Sequence, residues 1–490
     1  MANLEELREE RLKKLKRLTD GGFNVFPIES NLTNKLDQVL IDFDSLVGAG
    51  TSLTIGGRII GKRGQGGLFF IDLFDGTGKL QAVLKRDEMS EADFDLFEET
   101  VDVGDVISVT GTLFATKRGE KSIAAIDWKM LAKSLRPLPE KWHGLQDTEE
   151  RFRRRYLDTL MNEEVRNRFV MRSKVTKEVR RYLDDAGFLE VETPILQPLA
   201  GGASAEPFGT HHNALDIDLY MRIAPELYLK ELLVGGFPKV YELGRLFRNE
   251  GIDATHNPEF TTVEFYEAFA VAADHRKLIE SLLQTLVKNL TGNTVINFDE
   301  QEIDFGIPFA TITYFDLIKK YALISNPESI TKEELLAKAK QFGANVDPKE
   351  PQHKIFDAIY KKACRPKLIQ PTFIVDYPYE FSPLAKRRED DPSMIDRFQL
   401  VIGGYELTNA FSELNDPIDQ RNRFMEQEKN KTAGDAEAQP NDEEYIEALE
   451  YGLPPCAGSA ISIDRLTMLL TNTKNIREVI LFPTLRPKDK

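Results

Sequence analysis

The sequence predicts an α+β protein in which a small all-β barrel precedes a larger mixed domain. Residues 52–131 break into five short strand-like runs separated by turn residues. Residues 149–490 alternate helical and extended segments with no second proline-bearing linker. At about 100–200 residues per domain, 490 residues allow two to four domains. The composition, 41% hydrophobic and 29% charged with 30 Phe and 14 Tyr, supplies a real core and excludes disorder as the whole answer.

Taken in order, residues 1–50 form an N-terminal helical extension. Leu4, Leu7, Leu12, Leu15 and Leu18 recur near a helical period among Glu, Lys and Arg, and TDGG at 19–22 stops the helix with a left-handed glycine cap. The favoured reading is a wet amphipathic helix docked on its own protein, ahead of a nucleic-acid arm. Residues 51–135 hold the strands SLTIGGRII, GLFFIDLFD, KLQAVLKR, VISVTGTLFAT and SIAAIDWKML, with GKRGQGG, GTGK and KRGEK as turns. A helical stretch, MSEADFDLFEET, follows the third strand. Five strands with a helix after the third is the order of an OB-fold β-barrel, which binds oligonucleotides or other proteins. Residues 136–148 are a linker, and 149–490 form one large domain whose low-complexity piece, 426–444, reads as a surface loop.

Charge and cysteine content narrow the classes. The net charge of −16 argues against a protein that coats nucleic acid with its whole surface, but screening leaves room for a local basic face such as RFRRR at 151–155. Residues 435–450 carry seven carboxylates and no Lys or Arg. No apolar run approaches the ~18 residues that cross a bilayer, and the N-terminus lacks a signal-peptide core, so no membrane role is expected. Cys364 and Cys456 are too few for a disulfide framework or a four-thiolate zinc site and read as structural. Together these point to the cytoplasm. The chain has no GxxxxGK[ST], no GxGxxG and no HxxxH, and the adjacent His211 and His212 do not share a face.

Four segments remain that carry chemistry-bearing residues. GFLEVETPIL (187–196) is strand-like, with Pro194 barring it from a central ladder. FRNE (247–250) leads through a loop to HNPEFTTVEFYEAF (256–269), which alternates like a strand. GGYELTNAFSELND (403–416) and AGSAISIDRLTMLL (457–470) complete the set, the last a strand running into a helix with Arg465 near the junction. Any one of these carboxylates, taken alone, is more often a surface or paired structural group.

In order, GFLEVETPIL, FRNE…HNPEF and AGSAISIDRL resemble motifs 1, 2 and 3 of the class II aminoacyl-tRNA synthetases. GGASAEPF (201–208), THHNALDIDLYMRIAPELYLK (210–230), GFPKVYELGRLFRNEGIDATHNPEFT (236–261) and FSELNDP (411–417) narrow the likeness to lysine-specific members of the aspartate-like subclass. HGLQD (143–147), before RFRRRYLD (151–158), is similar too. The resemblance implies a class II catalytic domain built on an antiparallel β-sheet with flanking helices. It implies an enzyme that joins L-lysine to tRNA(Lys) with ATP and Mg²⁺ and works as a homodimer.

The resemblance also implies roles. Glu264, Tyr266 and Glu413 would hold the lysine ε-ammonium, with Phe411 lining the same pocket, and Glu226 and the Gly202 backbone would face the α-amino group. Arg248 and Asn409 would hold the substrate carboxylate. Arg248 and Arg465 would be the catalytic cations, shared with an ATP set of Glu250, His256, Asn257, Phe260 and Glu406, in which Phe260 stacks on adenine. A cluster of buried acids is costly unless a cation is expected, which is the physical sense of such a pocket.

Three departures from the family pattern stand out. The metal pair is Glu406 with a Glu seven residues earlier, but that position is Gln399, and Glu413 is a further metal candidate. A neutral amide brings less charge to Mg²⁺, so the number of ions is open. Ala460 and Ser462 replace glycines of motif 3, where backbone and nucleotide come close. Tyr405, Thr408 and Ala410 stand where Arg, Gly and Gly are common.

In the barrel, Phe70 and, eleven residues later, Gln81 have the spacing with which this subclass stacks on and reads an anticodon base, with Lys62 and Arg63 upstream. The competing reading makes Phe70 a core aromatic. Two other functions stay open: a lysine-adenylating paralogue serving a non-tRNA acceptor, and a non-catalytic tRNA-binding paralogue.

Overall fold

The structure is a computed structural model that describes residues 3–65, 67–139, 147–203, 205–432 and 440–488. It divides into two compact units, Met1–Gln146 and Asp147–Lys490. Most of HGLQD (143–147), part of the 136–148 linker and residues 433–439 of the low-complexity stretch lie outside the described residues.

The first unit opens with α1 (Leu4–Asp20), α2 (Leu36–Ile41) and α3 (Phe43–Ala49). α1 ends because Gly22 takes φ +82°, letting the Phe23 N–H donate to the Leu18 carbonyl at 3.0 Å. Leu18 is buried with Val39, Phe43 and the barrel interior. Arg11 donates to the carbonyls of Val103, Ser134 and Arg136, and Lys14 pairs with Asp102. The helix is thus docked, and part of its charge serves internal contacts.

The barrel strands are β1 (Ser52–Gln65), β2 (Leu68–Phe74) and β3 (Lys79–Lys85), then α4 (Glu91–Thr100), β4 (Val106–Ala115) and β5 (Lys121–Ala132). They close in the order β1-β2-β3-β5-β4. β1 runs on through GKRGQ, which the sequence reading assigned to a turn. After a bulge between Ile59 and Gly61 these residues keep pairing with β2. Glycine permits this: a Cβ on Gly61 would lie 2.4 Å from Asp72 Oδ2. Along β2, Phe69, Ile71 and Leu73 are buried, while Phe70, Asp72 and Phe74 face the other way.

The second unit begins with α5 (Thr148–Arg153), α6 (Arg155–Met161) and α7 (Glu163–Asp185). Then come β6 (Leu189–Glu190), β7 (Leu196–Gln197), β8 (Gly209–His212), β9 (Ile217–Met221), α8 (Glu226–Val234), β10 (Lys239–Phe247), β11 (Glu259–Ala268) and α9 (Ala272–Thr291). The hairpin β12 (Val295–Phe298) and β13 (Gln301–Asp304) leads to β14 (Ala310–Thr313), α10 (Tyr314–Leu317), α11 (Lys332–Gln341) and α12 (Gln352–Ile359). The chain ends through β15 (Thr372–Pro378), β16 (Met394–Ile402), β17 (Tyr405–Ser412), α13 (Pro417–Thr432), α14 (Glu443–Glu450), β18 (Cys456–Ser462) and α15 (Ile463–Leu470). α13 covers 426–432, so that part of the expected loop is helix instead, a continuation of the helix that buries Phe424.

The main sheet has the order β14-β15-β16-β17-β18-β11-β10-β6. Its six central strands pair antiparallel, and only the outermost pairs, β14 with β15 and β6 with β10, are parallel. β6 is a two-residue edge strand, as Pro194 just beyond it demands. α7, α9 and α15 bury one sheet face, with Val179, Ile279 and Leu466 against Phe265, Leu400 and Ile461. α8, α12 and α14 contribute Leu229, Ile355 and Ile446 to the other, where Tyr266 and Phe411 also lie. Between those helices that second face holds the candidate site.

Candidate active site

Register brings the site together. Glu242, Glu264, Ala460, Asn409 and Gln399 are successive partners across five strands, so they form one line on the sheet. Two residues along, Tyr266, Gly458, Phe411 and Arg397 form the next. Alternation in a strand points both lines to the same face. Gly458 is the low point between them: a Cβ there would meet Glu413 Oε1 at 2.1 Å and the Tyr266 ring at 2.3 Å. Because that residue has no side chain, Glu413 and the Tyr266 ring fill the space a Cβ would need.

Three carboxylates cluster around this point, close enough to raise one another's pKa, and each is buried: Glu226 at the start of α8, Glu264 on β11 and Glu413 just past β17. Glu264 Oε2 accepts from the Tyr266 hydroxyl at 3.4 Å. Burial, reinforced by Glu226, pushes the Glu264 carboxyl up to about 8 against the pull of Arg248 and Arg222. Burial likewise raises Glu226 and Glu413, with Lys230 pulling both down. Gly202, at φ +85°, lies against Glu226, since a Cβ on it would sit 3.0 Å from the Glu226 Cβ.

The neighbouring surface is cationic. Arg248 follows β10, its N–H donating to the Pro258 carbonyl at 2.9 Å and its guanidinium 5.2 Å from the Phe260 ring centre. Arg465, in the first turn of α15, donates Nη1 to the Glu406 carbonyl at 2.7 Å. Burial lowers the Arg465 pKa, opposed by Glu406 and reinforced by Arg365 and Arg248. Arg248, Arg365 and Arg465 lie close enough to repel one another, and among the described residues none is in a salt bridge with a carboxylate, a setting suited to phosphate. The His256 ring faces Asp253 through Nδ1 at 2.9 Å, leaving Nε2 3.5 Å from Arg465 Nη2. Glu250 is exposed in the loop between, and Asn257 turns its amide back to the Glu259 carbonyl at 2.7 Å, with Oδ1 buried and unpartnered.

Ser462, one of the departures from the family pattern, has a local reason: its hydroxyl accepts the Arg465 N–H at 3.2 Å and caps α15. The same bond ties the cap to the turn that presents Arg465.

The proposed metal set does not gather. Glu406 and Glu413 are seven residues apart along and just past β17, roughly 20 Å at ~3.3 Å per residue, so they cannot share an ion. Glu413 is moreover paired with Lys230. Gln399 Oε1 accepts from Tyr377 at 2.8 Å and lies 3.4 Å from the Tyr360 hydroxyl, so its two lone pairs are spoken for. Among the described residues no group of three or more His, Cys, Asp or Glu has metal-holding geometry. Glu406 alone fits an ion carried chiefly by substrate phosphates, the usual manner for Mg²⁺.

Sequence reasoning missed several partners. Lys230 pairs with Glu226 one helical turn away, at 2.6 Å, and also with Glu413. The spacing of four in ELYLK was the available signal. Arg397 Nε donates to Asn409 Oδ1 at 2.9 Å, and Arg222 neutralises Glu242; both pairings cross between elements and leave no local mark.

In the barrel, a cleft of about 730 Å³ is lined by Arg63, Phe70 and Gln81, joined by Lys79, Lys117 and Arg118. Phe70 is outside the barrel core, which removes the competing reading of that ring. Ser122 donates to Gln81 Oε1 at 3.1 Å. Lys62 is elsewhere. It pairs in register with inward-facing Ile71 and donates to the Val101 carbonyl at 2.7 Å, with its ammonium 4.8 Å from the Phe97 ring. Burial pulls its pKa down to about 8.

An antiparallel sheet with a cation-lined strand-to-helix corner beside an acidic pocket, preceded in the chain by an OB barrel, defines a class. Residues 147–486 match the class II tRNA synthetases of the D, K and N group, and residues 53–131 match the OB-fold nucleic acid binding domain. The chain belongs to the class II tRNA synthetases. Its relatives include the lysine–tRNA ligases of Pelotomaculum thermopropionicum, 47% identical over 99% of this chain and 96% of theirs, and of Roseiflexus sp., 48% identical over 99% and 100%. That of Clostridium botulinum is 46% identical over 99% and 96%. No helix among the described residues is long and apolar enough to cross a membrane.

Proposed function

We propose that this protein is a lysine–tRNA ligase, which activates L-lysine with ATP to lysyl-adenylate and transfers the lysyl group to the 3′ end of tRNA(Lys). The observation that carries this reading is the clustering of buried Glu226, Glu264 and Glu413 around Tyr266, with the Arg248 guanidinium near enough to pull on Glu264. A pocket of acids beside a cation suits an amino acid with two ammonium groups and one carboxylate; an aspartate or asparagine side chain would leave the acids unpaired.

The chemistry asks for positioning. The lysine carboxylate is already a nucleophile, so its attack on the α-phosphorus needs no enzyme base. Arg248, held over Phe260, orients that carboxylate against the α-phosphate and spreads the charge that develops there. Phe260 offers its other face to adenine. Arg465 and His256 take the outgoing pyrophosphate, and Asn409, fixed by Arg397, supports the substrate carboxylate. Mg²⁺, held on the protein side by Glu406, supplies charge neutralisation on the phosphates when bound. The tRNA ribose hydroxyl then attacks the lysyl carbonyl and AMP leaves.

The barrel favours tRNA over a smaller acceptor, through the Arg63, Phe70 and Gln81 cleft. The enzyme works as a homodimer in the cytoplasm. In support, Leu189, Ile195 and Leu196 lie exposed around the edge strand β6. The test is ATP–pyrophosphate exchange with each amino acid in turn, followed by charging of tRNA. Exchange supported by lysine alone, with lysine then esterified to tRNA(Lys), is the expected result; exchange with another amino acid would overturn the reading.

A further inference from the structure

Lys230 is a buried charged group that the reaction as described does not use. Its side chain is wholly inside, with Nζ 2.6 Å from Glu226 Oε1 and paired to Glu413 Oε2. The rings of Phe411 and Tyr445 lie 5.5 and 6.0 Å from the ammonium. Both oxygens of Glu413 are buried without a hydrogen-bond partner: Oε2 is in ion-pair contact with Lys230, while Oε1 lies against Gly458 and the Tyr266 ring. Tyr266 in turn reaches Glu264 through its hydroxyl at 3.4 Å. One oxygen of Glu413 is therefore held by a resident cation, while the other faces the Tyr266 ring, whose hydroxyl reaches Glu264.

We propose that Lys230 is a positioning residue of the amino-acid pocket, a resident ammonium that fixes Glu226 and Glu413 and leaves Glu413 Oε1 and Glu264 to receive the substrate's side-chain ammonium. The proposal rests on the lysine pocket described above. Charge balance favours it. With Lys230 in place, the three carboxylates retain two negative charges, which the two ammonium groups of lysine match, while Arg248 meets the substrate carboxylate. Without Lys230 the loaded pocket keeps a surplus buried negative charge, and Glu413 loses the contact that aims it.

The experiment is steady-state pyrophosphate exchange by Lys230→Met, with KM for lysine and for ATP measured separately on folded protein. Removing one partner of a buried, hydrogen-bonded charge pair should raise the lysine KM about 10- to 100-fold, with the ATP KM within about threefold of the parent. A residue that merely packs would lower thermal stability and leave the lysine KM of the folded fraction alone. An unchanged lysine KM overturns the proposal. If Lys230→Met does not fold, Glu226→Gln is compared with the double variant Glu226→Gln/Lys230→Gln, in which an amide pair replaces the ion pair. A further rise of about tenfold in the double variant supports the proposal, and equal lysine KM values overturn it. Glu264→Gln, measured in parallel, separates the two levels. If Glu264→Gln leaves the lysine KM unmoved, the pocket itself is misplaced; if Glu264→Gln raises it and loss of Lys230 does not, only the role of Lys230 falls.

Discussion

The hydroxyl of Tyr377 donates to Oε1 of Gln399 at 2.8 Å, on the strand line that also carries Asn409 and Glu264. Burial raises the pKa of Tyr377 and of Tyr360, so both remain protonated donors. The Gln399 oxygen is committed to them.

The first prediction follows from lone pairs. A carboxylate at 399 could keep both tyrosine bonds and still coordinate a cation, because it has about four acceptor sites where the amide oxygen has two. Gln399→Glu should therefore bind one more Mn²⁺ per active site than the parent, in the presence of a non-hydrolysable ATP analogue. Paramagnetic-resonance titration counts the ions. Equal stoichiometry in the two proteins would mean that residue 399 takes no part in metal binding in either form.

The second prediction is a pH dependence. Glu264 sits at about 8 in the empty pocket, so below that pH it holds a proton that an arriving ammonium must displace. Lysine binding should release this proton, and the lysine KM should fall as pH rises toward 8, by up to about tenfold per unit. Glu264→Gln removes the slope and weakens lysine use by roughly 2–4 kcal/mol, with little change for ATP. The same raised carboxyl makes the empty enzyme lose stability as pH climbs from its unfolded value of 4.5 toward 8. Kinetics and melting of parent and variant across that range check both signs.

The third concerns the cations. Arg248→Ala and Arg465→Ala each remove a preorganised contact to phosphate charge, which typically costs ~10²–10³-fold in rate. Pyrophosphate exchange should drop by that order while circular dichroism shows a folded chain. Exchange within a few-fold of the parent for both would remove the guanidinium cluster from the chemistry.

What was legible in the sequence was local. Glu264 and Tyr266 lie in one alternating strand, Phe69, Phe70 and Ile71 alternate around the barrel wall, and the glycines at 403 and 404 turn β16 into β17 at φ +58° and +78°. What was not legible came from across the fold. Lys62 follows the basic pattern of its neighbour Arg63, yet its pairing with Ile71 sends it inward to the end of α4. The commitment of Gln399 depends on a tyrosine from the adjacent strand, and the pairing of Glu413 on a lysine from a helix far earlier in the chain. Spacing within a motif carries no record of such partners. Ser462 lies between these cases: as a departure from glycine it raised doubt, whereas as a serine opening a helix its capping role was readable.

The last prediction separates anticodon reading from catalysis. Phe70 and Gln81 line the barrel cleft, on the outward face, with Arg63, Lys117 and Arg118 around them. If Phe70 stacks on an anticodon base and Gln81 reads its edge, alanine at either position should weaken tRNA charging. Lysine-dependent pyrophosphate exchange should stay near normal, because that step needs only the catalytic unit. Stacking is worth about 1–3 kcal/mol per base, so the kcat/KM for tRNA should fall about five- to two-hundred-fold in Phe70→Ala. Because Phe70 lies outside the barrel core, that variant should also keep its melting temperature, unlike the large-cavity loss of several kcal/mol that truncating Phe69 would bring. Gln81→Ala removes the acceptor of a single Ser122 hydroxyl bond, so its effect on stability should be small and its effect on tRNA the readout. Unchanged charging in Gln81→Ala, with parent-like folding, would show that this face of the barrel does not read the base edge.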